Sequence, residues 1–145
     1  GDIFYAPPST LLIHACNTQG NWGAGIALEF KKRYPQAYAM YRSHCLTKHS
    51  PKTDPVPTGT AFLIPPCETS PDAPKHWIGC LFTSARYGKA KDRPEKILAS
   101  TRPAMMDLLR QVREVKGEGV MDVRMCKINS ARFGVPWDRT VDVLE

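Results

Sequence analysis

The chain has 145 residues and a formal net charge of +6, with 42% hydrophobic and 23% charged residues. This length suits one domain with a buried core, and the composition is that of a folded globular protein. No apolar run reaches the roughly 20 residues that a membrane helix needs, so we expect no membrane span. The basic excess suits a polyanionic ligand, a class that includes nucleic acid as well as diphosphates.

We expect residues 1–145 to form a single domain, with truncation at the N-terminal strand and at the C-terminal end as the open alternative. The cysteine count is odd, and no pair has CxxC spacing, which argues against structural zinc. Free thiols in a reducing intracellular compartment, cytoplasmic or nuclear, are the simpler interpretation. The cysteines are Cys16, Cys45, Cys67, Cys80 and Cys126.

The first half of the chain alternates apolar strands with amphipathic helices. Gly1–Phe4 has the pattern of a strand end, and Leu11–Ala15 that of a buried strand. Ile26–Tyr34 and Gln36–Leu46 have helical spacing, with Pro35 between them. A polar, proline-rich loop then leads to a strand over Gly59–Ile64.

The second half continues the alternation. Trp77–Phe82 is almost wholly apolar, which is typical of a strand buried on both faces. Pro94–Lys116 has helical spacing, and Pro103 within it predicts a kink or two consecutive helices. Val120–Met125 predicts a strand, and a last helix follows Asp138. Such alternation predicts an α/β domain with helices on both faces of one sheet.

A glycine-rich turn joins the first buried strand to the first helix. Gly20, Gly23 and Gly25 lie there with one bulky neighbour, Trp22. Unpaired amides at a helix N-terminus attract anions, and glycine lets the backbone approach phosphate oxygens closely. The spacing fits neither a dinucleotide fingerprint nor a P-loop, so an ordinary turn is the alternative. Asn17 at the strand end favours a ligand site, because ligands bind there in open α/β sheets.

Four segments carry a resemblance that spans nearly the whole chain: Gly1–Ile3, Leu12–Asn17, Trp22–Ala27 and Ile128–Trp137. They resemble the macrodomain family, and within it most closely the fungal ADP-ribose 1''-phosphate phosphatases. The resemblance implies a three-layer α/β/α sandwich around a mixed sheet. It also implies binding of ADP-ribose and its 1''-phosphate. We expect a monomer without cofactor, and no metal ion, because no cluster of His, Cys and carboxylates has metal-ligand spacing.

The resemblance also implies roles for individual residues. Asp2 accepts from the adenine amino group, Asn17 holds the distal ribose, and Phe133 packs on the ribose side. Backbone amides of two loops surround the phosphates, and Ala131 stiffens the second loop because many macrodomains have glycine there. The full predicted binding set is Asp2, Ile3, Ala15, Cys16, Asn17, Trp22, Gly23, Ala24, Gly25, Ile26, Ala27, Ile128, Asn129, Ser130, Ala131, Arg132, Phe133 and Gly134.

His14 is the histidine nearest to this predicted site in sequence. Its ring could act as acid, base or nucleophile near neutral pH, and the subfamily resemblance favours that catalytic role. A satisfied, buried histidine in the strand is the alternative. The remaining histidines lack ligand spacing, and we interpret them as surface residues: His44, His49 and His76.

Other side chains near the loops have two interpretations. We expect Trp22 to close over the terminal ribose, with a hydrophobic plug as the alternative. Cys16 follows an apolar strand, so we interpret it as a small buried residue. Cations in or near the predicted loops are candidates to hold the terminal phosphate: Arg86, Lys89 and, best placed, Arg132.

The resulting hypothesis is metal-independent hydrolysis of ADP-ribose 1''-phosphate, a by-product of tRNA splicing. Hydrolysis of protein-linked ADP-ribose, with an ADP-ribosylated protein as partner, is one alternative, and a non-catalytic ADP-ribose reader is another. A nucleic-acid-binding domain is the third, although Lys31–Arg33 on a predicted helix is more typical of a solvated face.

Overall fold

The structure is a computed structural model that describes residues 3–23, 25–85, 93–115 and 119–125. No helix among the described residues is long and apolar enough to cross a membrane. In chain order the elements are a 3-10 turn Ile3–Tyr5, β1 Thr10–Asn17, α1 Gly25–Arg33, α2 Pro35–Ser43, a π-helical turn His44–Lys48, β2 Ala61–Ile64, β3 Trp77–Ser84, α3 Pro94–Glu114 and β4 Asp122–Met125. Helices and strands are interspersed along the chain, as the sequence pattern predicts, with α1 next to α2 and β2 next to β3 in sequence order.

The described strands form one mixed sheet in the order β2-β3-β1-β4. The central strand β1 runs parallel to both β3 and β4, whereas β2 is antiparallel to β3. Both β1 and β3 are buried along their whole length, as their continuous apolar sequences predict. Because parallel strands share a direction, the C-terminal ends of β1, β3 and β4 point toward the same edge of the sheet.

Helices cover both faces of this sheet. Leu12 and Cys16 of β1 lie in the core beneath α1 and α2, whereas Leu11, Ile13 and Ala15 lie in the core beneath α3. The period of two in the strand therefore supplies both cores from one sequence segment. The described residues form the predicted three layers, α/β/α, around a mixed sheet.

Two predicted elements differ from the structure. Residues 3–5 form a 3-10 turn instead of a strand end, since the Ala6 amide donates to the Ile3 carbonyl at 3.1 Å and Phe4 packs edge-on to Phe30. Pro103 lies inside one continuous helix, so the prediction of two consecutive helices is wrong, whereas the kink stays a prediction. Ile97 before the proline and Leu108 after it are both buried in the core beneath α3. The predicted C-terminal helix lies outside the described residues.

Side chains of α3 also cover the edge strand β2. Asp107 accepts from the Ala61 amide at 2.9 Å, and the Gln111 side chain accepts from the Leu63 amide at 3.0 Å. The same Gln111 donates to the Ala61 carbonyl at 2.9 Å. These bonds satisfy backbone groups that an edge strand otherwise presents to water or to another chain.

Candidate active site

The glycine-rich loop begins where β1 leaves the sheet. The pairing of β1 with β3 shifts register between Cys16 and Asn17, so the strand becomes irregular at its last residue. Gly20 has φ +75° and Gly25 has φ +61°, conformations that glycine adopts without the steric cost of a side chain. Gly25 is also the first residue of α1, so the loop ends at a helix N-terminus. Amides of that first helical turn have no acceptor within the helix and suit an anion.

Hydrogen bonds of Asn17 hold the start of this loop in shape. Its side-chain Nδ2 donates to the Asn21 carbonyl at 2.7 Å, and its Oδ1 accepts from the Gln19 amide at 2.9 Å. The residue is 4% exposed. The sequence predicted a contact between this amide and a ribose; in the structure the amide closes the loop, and the ribose contact stays a prediction.

Trp22 lies inside the molecule instead of over a ligand. Its side chain is fully buried, stacked on Tyr41 with ring centroids 4.8 Å apart and edge-on to Phe30 at 6.0 Å. The expectation that Trp22 closes over the terminal ribose is therefore wrong for this structure, and the hydrophobic plug describes it. The apolar indole fills the space between the loop and α2. Burial there removes its surface from water, which is more favourable than an exposed position above a ligand site.

His14 lies in the same aromatic cluster. Its ring is fully buried, parallel to the Phe30 ring at 4.0 Å and edge-on to Trp22 at 4.9 Å. Cys16 Sγ lies 3.6 Å from Nε2 and 3.8 Å from Nδ1 of this ring. This is the buried alternative that the sequence left open. The catalytic role of this buried ring stays a prediction.

Three potential metal ligands meet beside this ring: His14, Cys16 and Cys80 have ligand atoms within 4.8 Å of one another. The sequence did not reveal this cluster, because the residues come from neighbouring strands. A metal-bound imidazole directs one nitrogen at the ion, whereas Cys16 Sγ is almost equidistant from both nitrogens. The cluster therefore has the geometry of a packed core.

Burial also makes the thiols of Cys16 and Cys45 weak nucleophiles. Burial raises the pKa of Cys16 well above its usual range, and the neighbouring Cys80 raises it further. Burial raises the pKa of Cys45 to about 12, with Cys16 nearby adding to the effect. Because the thiolate is the nucleophile, neutral thiols of this kind do not attack substrates. The interpretation of Cys16 as a small buried residue is confirmed, since it is 2% exposed.

Comparison with known proteins decides the family, because a family model described as "Macro domain" matches residues 13–144. The chain belongs to the macrodomain family. A protein of Chaetomium globosum named ADP-ribose 1''-phosphate phosphatase is 48% identical, covering all of this chain and 80% of that protein. A protein of the same name from Aspergillus fumigatus is 41% identical, covering all of this chain and 86% of its own length.

A solved structure gives the same result for the fold. The macrodomain of Mycobacterium tuberculosis DarG is similar to this chain with a TM-score of 0.75 and 26% identity. The match covers 99% of this chain and 83% of the solved chain. This macrodomain therefore has the fold that its sequence predicts.

The described part of the macrodomain brings together some of the predicted site residues. Asn17, Gly23, Gly25 and Ile26 lie on one loop and helix start, and Ile26 is 38% exposed there. Ala15, Cys16 and Ala27 support this loop from buried positions, and Ile3 lies in the 3-10 turn. The predicted contacts of the following residues fall outside the described residues: Asp2, Ala24, Arg86, Lys89, Ile128, Asn129, Ser130, Ala131, Arg132, Phe133 and Gly134.

His76 is buried, so the prediction of a surface histidine is wrong for this residue. Its Nε2 lies 2.8 Å from the Ala6 carbonyl, which only accepts, so Nε2 carries the proton. Nδ1 then accepts from the Tyr34 hydroxyl at 2.6 Å. The two bonds fix the chain just after the 3-10 turn. The residues before His76 in sequence are mostly polar, so they predicted a surface position. The buried role of His76 depends on Tyr34, which is distant in sequence.

His44 is half-buried: it stacks on Phe62 with ring centroids 4.3 Å apart, and its burial lowers its pKa. His49 is also half-buried, with Nδ1 3.6 Å from Asp54. The surface interpretation therefore holds only in part for these two residues. Neither belongs to the glycine-rich loop.

Proposed function

We propose that this macrodomain hydrolyses ADP-ribose 1''-phosphate to ADP-ribose and inorganic phosphate. The observation that carries the proposal is the glycine-rich loop at the end of β1, which runs into the N-terminus of α1 at Gly25. Such a terminus suits an anionic group. Full-length similarity to relatives named for this phosphatase activity supports the choice of substrate.

In the proposed complex, first-turn amides of α1 and amides of the loop hold the diphosphate. These groups are fixed before the ligand arrives, because Asn17 closes the loop and Trp22 fills the space beneath it. Preorganised donors stabilise negative charge without reorganising at the moment of reaction. The net charge of +6 adds a long-range attraction for the substrate.

The proposed reaction consumes one water molecule. The water oxygen joins phosphorus, and the bond between phosphorus and the ribose oxygen breaks. One proton of the water passes to the leaving ribose oxygen, which becomes a hydroxyl, and the other stays on the inorganic phosphate. Loop amides can stabilise charge on the transferring phosphoryl group. His14 is the predicted proton carrier, and its burial under the loop makes a positioning role the competing explanation.

Two alternative functions use the same glycine-rich loop and the same N-terminus of α1. They are hydrolysis of protein-linked ADP-ribose and binding of ADP-ribose without turnover. A nucleic-acid-binding surface is favoured less, because two cations of the basic segment Lys31–Arg33 contact other side chains of the protein. Arg33 pairs with Glu29 at 2.6 Å, and Lys31 lies 5.0 Å from the Tyr38 ring centroid. Binding of RNA with a steep salt dependence would support this last alternative.

We also propose that the protein works as a monomer in a reducing cytoplasm or nucleus. The four described cysteines are free, which suits such a compartment: Cys16, Cys45, Cys67 and Cys80. Gel filtration with light scattering measures the oligomeric state directly.

Calorimetry with ADP-ribose tests the binding half of the proposal. We expect one site per chain, with affinity largely kept when the salt concentration is raised, because uncharged backbone amides supply the contacts. RNA of similar charge should bind weakly and lose its affinity steeply in salt. If the folded protein does not bind ADP-ribose, both the proposed phosphatase activity and the alternative of a non-catalytic ADP-ribose reader are excluded.

Chelation tests the metal-independent part of the proposal. We expect phosphate release to continue unchanged in excess EDTA, because the described ligand cluster is a buried set of two thiols and an imidazole. Metal ions that activate phosphate esters at open sites are held by exposed oxygen or imidazole ligands. Loss of activity in EDTA, followed by recovery with one divalent metal ion, would contradict this expectation.

A further inference from the structure

Tyr41 connects α2 to the loop from below. Its hydroxyl oxygen lies 2.7 Å from the Asn17 carbonyl, 3.1 Å from Asn17 Oδ1 and 3.2 Å from the Asn21 amide. A phenol has one proton and can accept as well, so it donates to an oxygen of Asn17 and accepts from Asn21. One hydroxyl therefore ties together both ends of the turn at the start of the loop.

The Tyr41 side chain is fully buried, and its ring has its own supports. It stacks on Trp22 and lies parallel to Phe82, with centroids 6.2 Å apart and planes 13° apart. Burial raises the pKa of the hydroxyl well above its usual range, so it stays a neutral donor at physiological pH. The ring contributes packing, whereas the hydroxyl adds directed bonds to the loop.

We infer that Tyr41 is a positioning residue for the phosphate-binding loop, an inference that rests on the proposed function. The hydrogen bonds of the Asn17 side chain lie within the turn, so they do not by themselves restrain the angle between β1 and the loop. The Tyr41 hydroxyl fixes it from a helix that is anchored independently, since Glu68 accepts from the Gln36 and Ala37 amides at the start of α2. The loop amides are thereby held toward the phosphates before substrate arrives.

Tyr41→Phe tests the inference, because it removes the hydroxyl and keeps the ring. We expect kcat/KM for phosphate release to fall about tenfold, as for a lost buried hydrogen bond that aligns a site. ADP-ribose affinity should fall by a similar factor. Tyr38→Phe is the matched control, because its hydroxyl contacts the same loop only at 3.4 Å from the Gly20 carbonyl. This control should bind and turn over like wild type.

A double-mutant cycle separates positioning from simple stabilisation. Asn17→Ala and Tyr41→Phe should each weaken ADP-ribose binding, with less than additive effects in the double variant, because the two side chains act on the same turn. A variant that only loses stability keeps the wild-type affinity in its folded fraction. If Tyr41→Phe does not fold, amide exchange in the wild-type protein replaces it. The Asn21 amide should exchange slowly, and exchange as fast as in an exposed loop would overturn the inference.

A folded Tyr41→Phe protein with wild-type affinity and wild-type kcat/KM would also overturn the inference. That result is distinct from failure of the proposed function, in which the wild-type protein itself releases no phosphate. In that case, affinity for ADP-ribose and the exchange of Asn21 still decide whether Tyr41 positions the loop.

Discussion

Gly25→Glu should lower ADP-ribose affinity by at least about a hundredfold while the protein stays folded. The new carboxylate stands at the N-terminus of α1, where it interacts with the helix dipole that the ligand's phosphates would otherwise use. Its side chain also occupies space next to the loop backbone. Calorimetry with ADP-ribose measures the loss, and a melting curve checks the fold.

Gly25→Ala is the matched control for that substitution. Gly25 has φ +61°, so either side chain adds backbone strain of about 1–2 kcal/mol to the folded state. Both variants should melt at a lower temperature, and only the glutamate adds charge. Equal affinities in the two variants would show that strain decides binding and that the phosphates lie elsewhere.

His14→Ala should lower the free energy of unfolding by about 2–4 kcal/mol, because it leaves a cavity in a packed aromatic cluster. His14 is fully buried and stacked on Phe30 at 4.0 Å. His14→Phe should restore much of this stability, since the replacement keeps a flat ring and loses only weak contacts to Cys16 Sγ. Denaturant unfolding of both variants gives the two free energies.

The same pair of variants decides what His14 does. If the ring supports the loop by packing, as the structure places it, His14→Phe should release phosphate at close to the wild-type rate. If the ring moves a proton, phosphate release in a folded His14→Phe protein should fall by about 10²–10⁴-fold, with ADP-ribose affinity nearly unchanged. The second result would restore the catalytic role that the family resemblance favours.

Hydrophobic periodicity was sufficient to predict the layers of this fold. Trp77–Phe82 is apolar throughout and forms most of a fully buried strand, and three glycines mark the loop after β1. Both patterns are local, because burial on two faces and positive φ each restrict the residue types at their own positions.

Side chains that meet across the chain were not predictable in this way. Trp22 between glycines has no packing partner in its own segment, and its partner Tyr41 comes from α2. His76 follows a polar loop, and its partner Tyr34 lies 42 residues earlier in the chain. Sequence spacing contains no information on such contacts, which depend on how helices settle on the sheet.

The family resemblance supplied what periodicity did not, namely the substrate. It also favoured the catalytic role of His14, and the structure places that ring in the core. A motif identifies which positions matter to a family, whereas burial indicates whether a side chain acts on the ligand or on the loop that holds it.

Phosphate release from ADP-ribose 1''-phosphate is the measurement that tests the proposed function most directly. We expect the wild-type protein to form ADP-ribose and inorganic phosphate in equal amounts, in multiple turnovers, with inhibition by added ADP-ribose. Gly25→Glu, prepared in the same way, should show no turnover. A wild-type protein that binds ADP-ribose in calorimetry but releases no phosphate from this substrate would contradict the proposed phosphatase activity. The remaining alternative would be a domain that binds ADP-ribose without turnover.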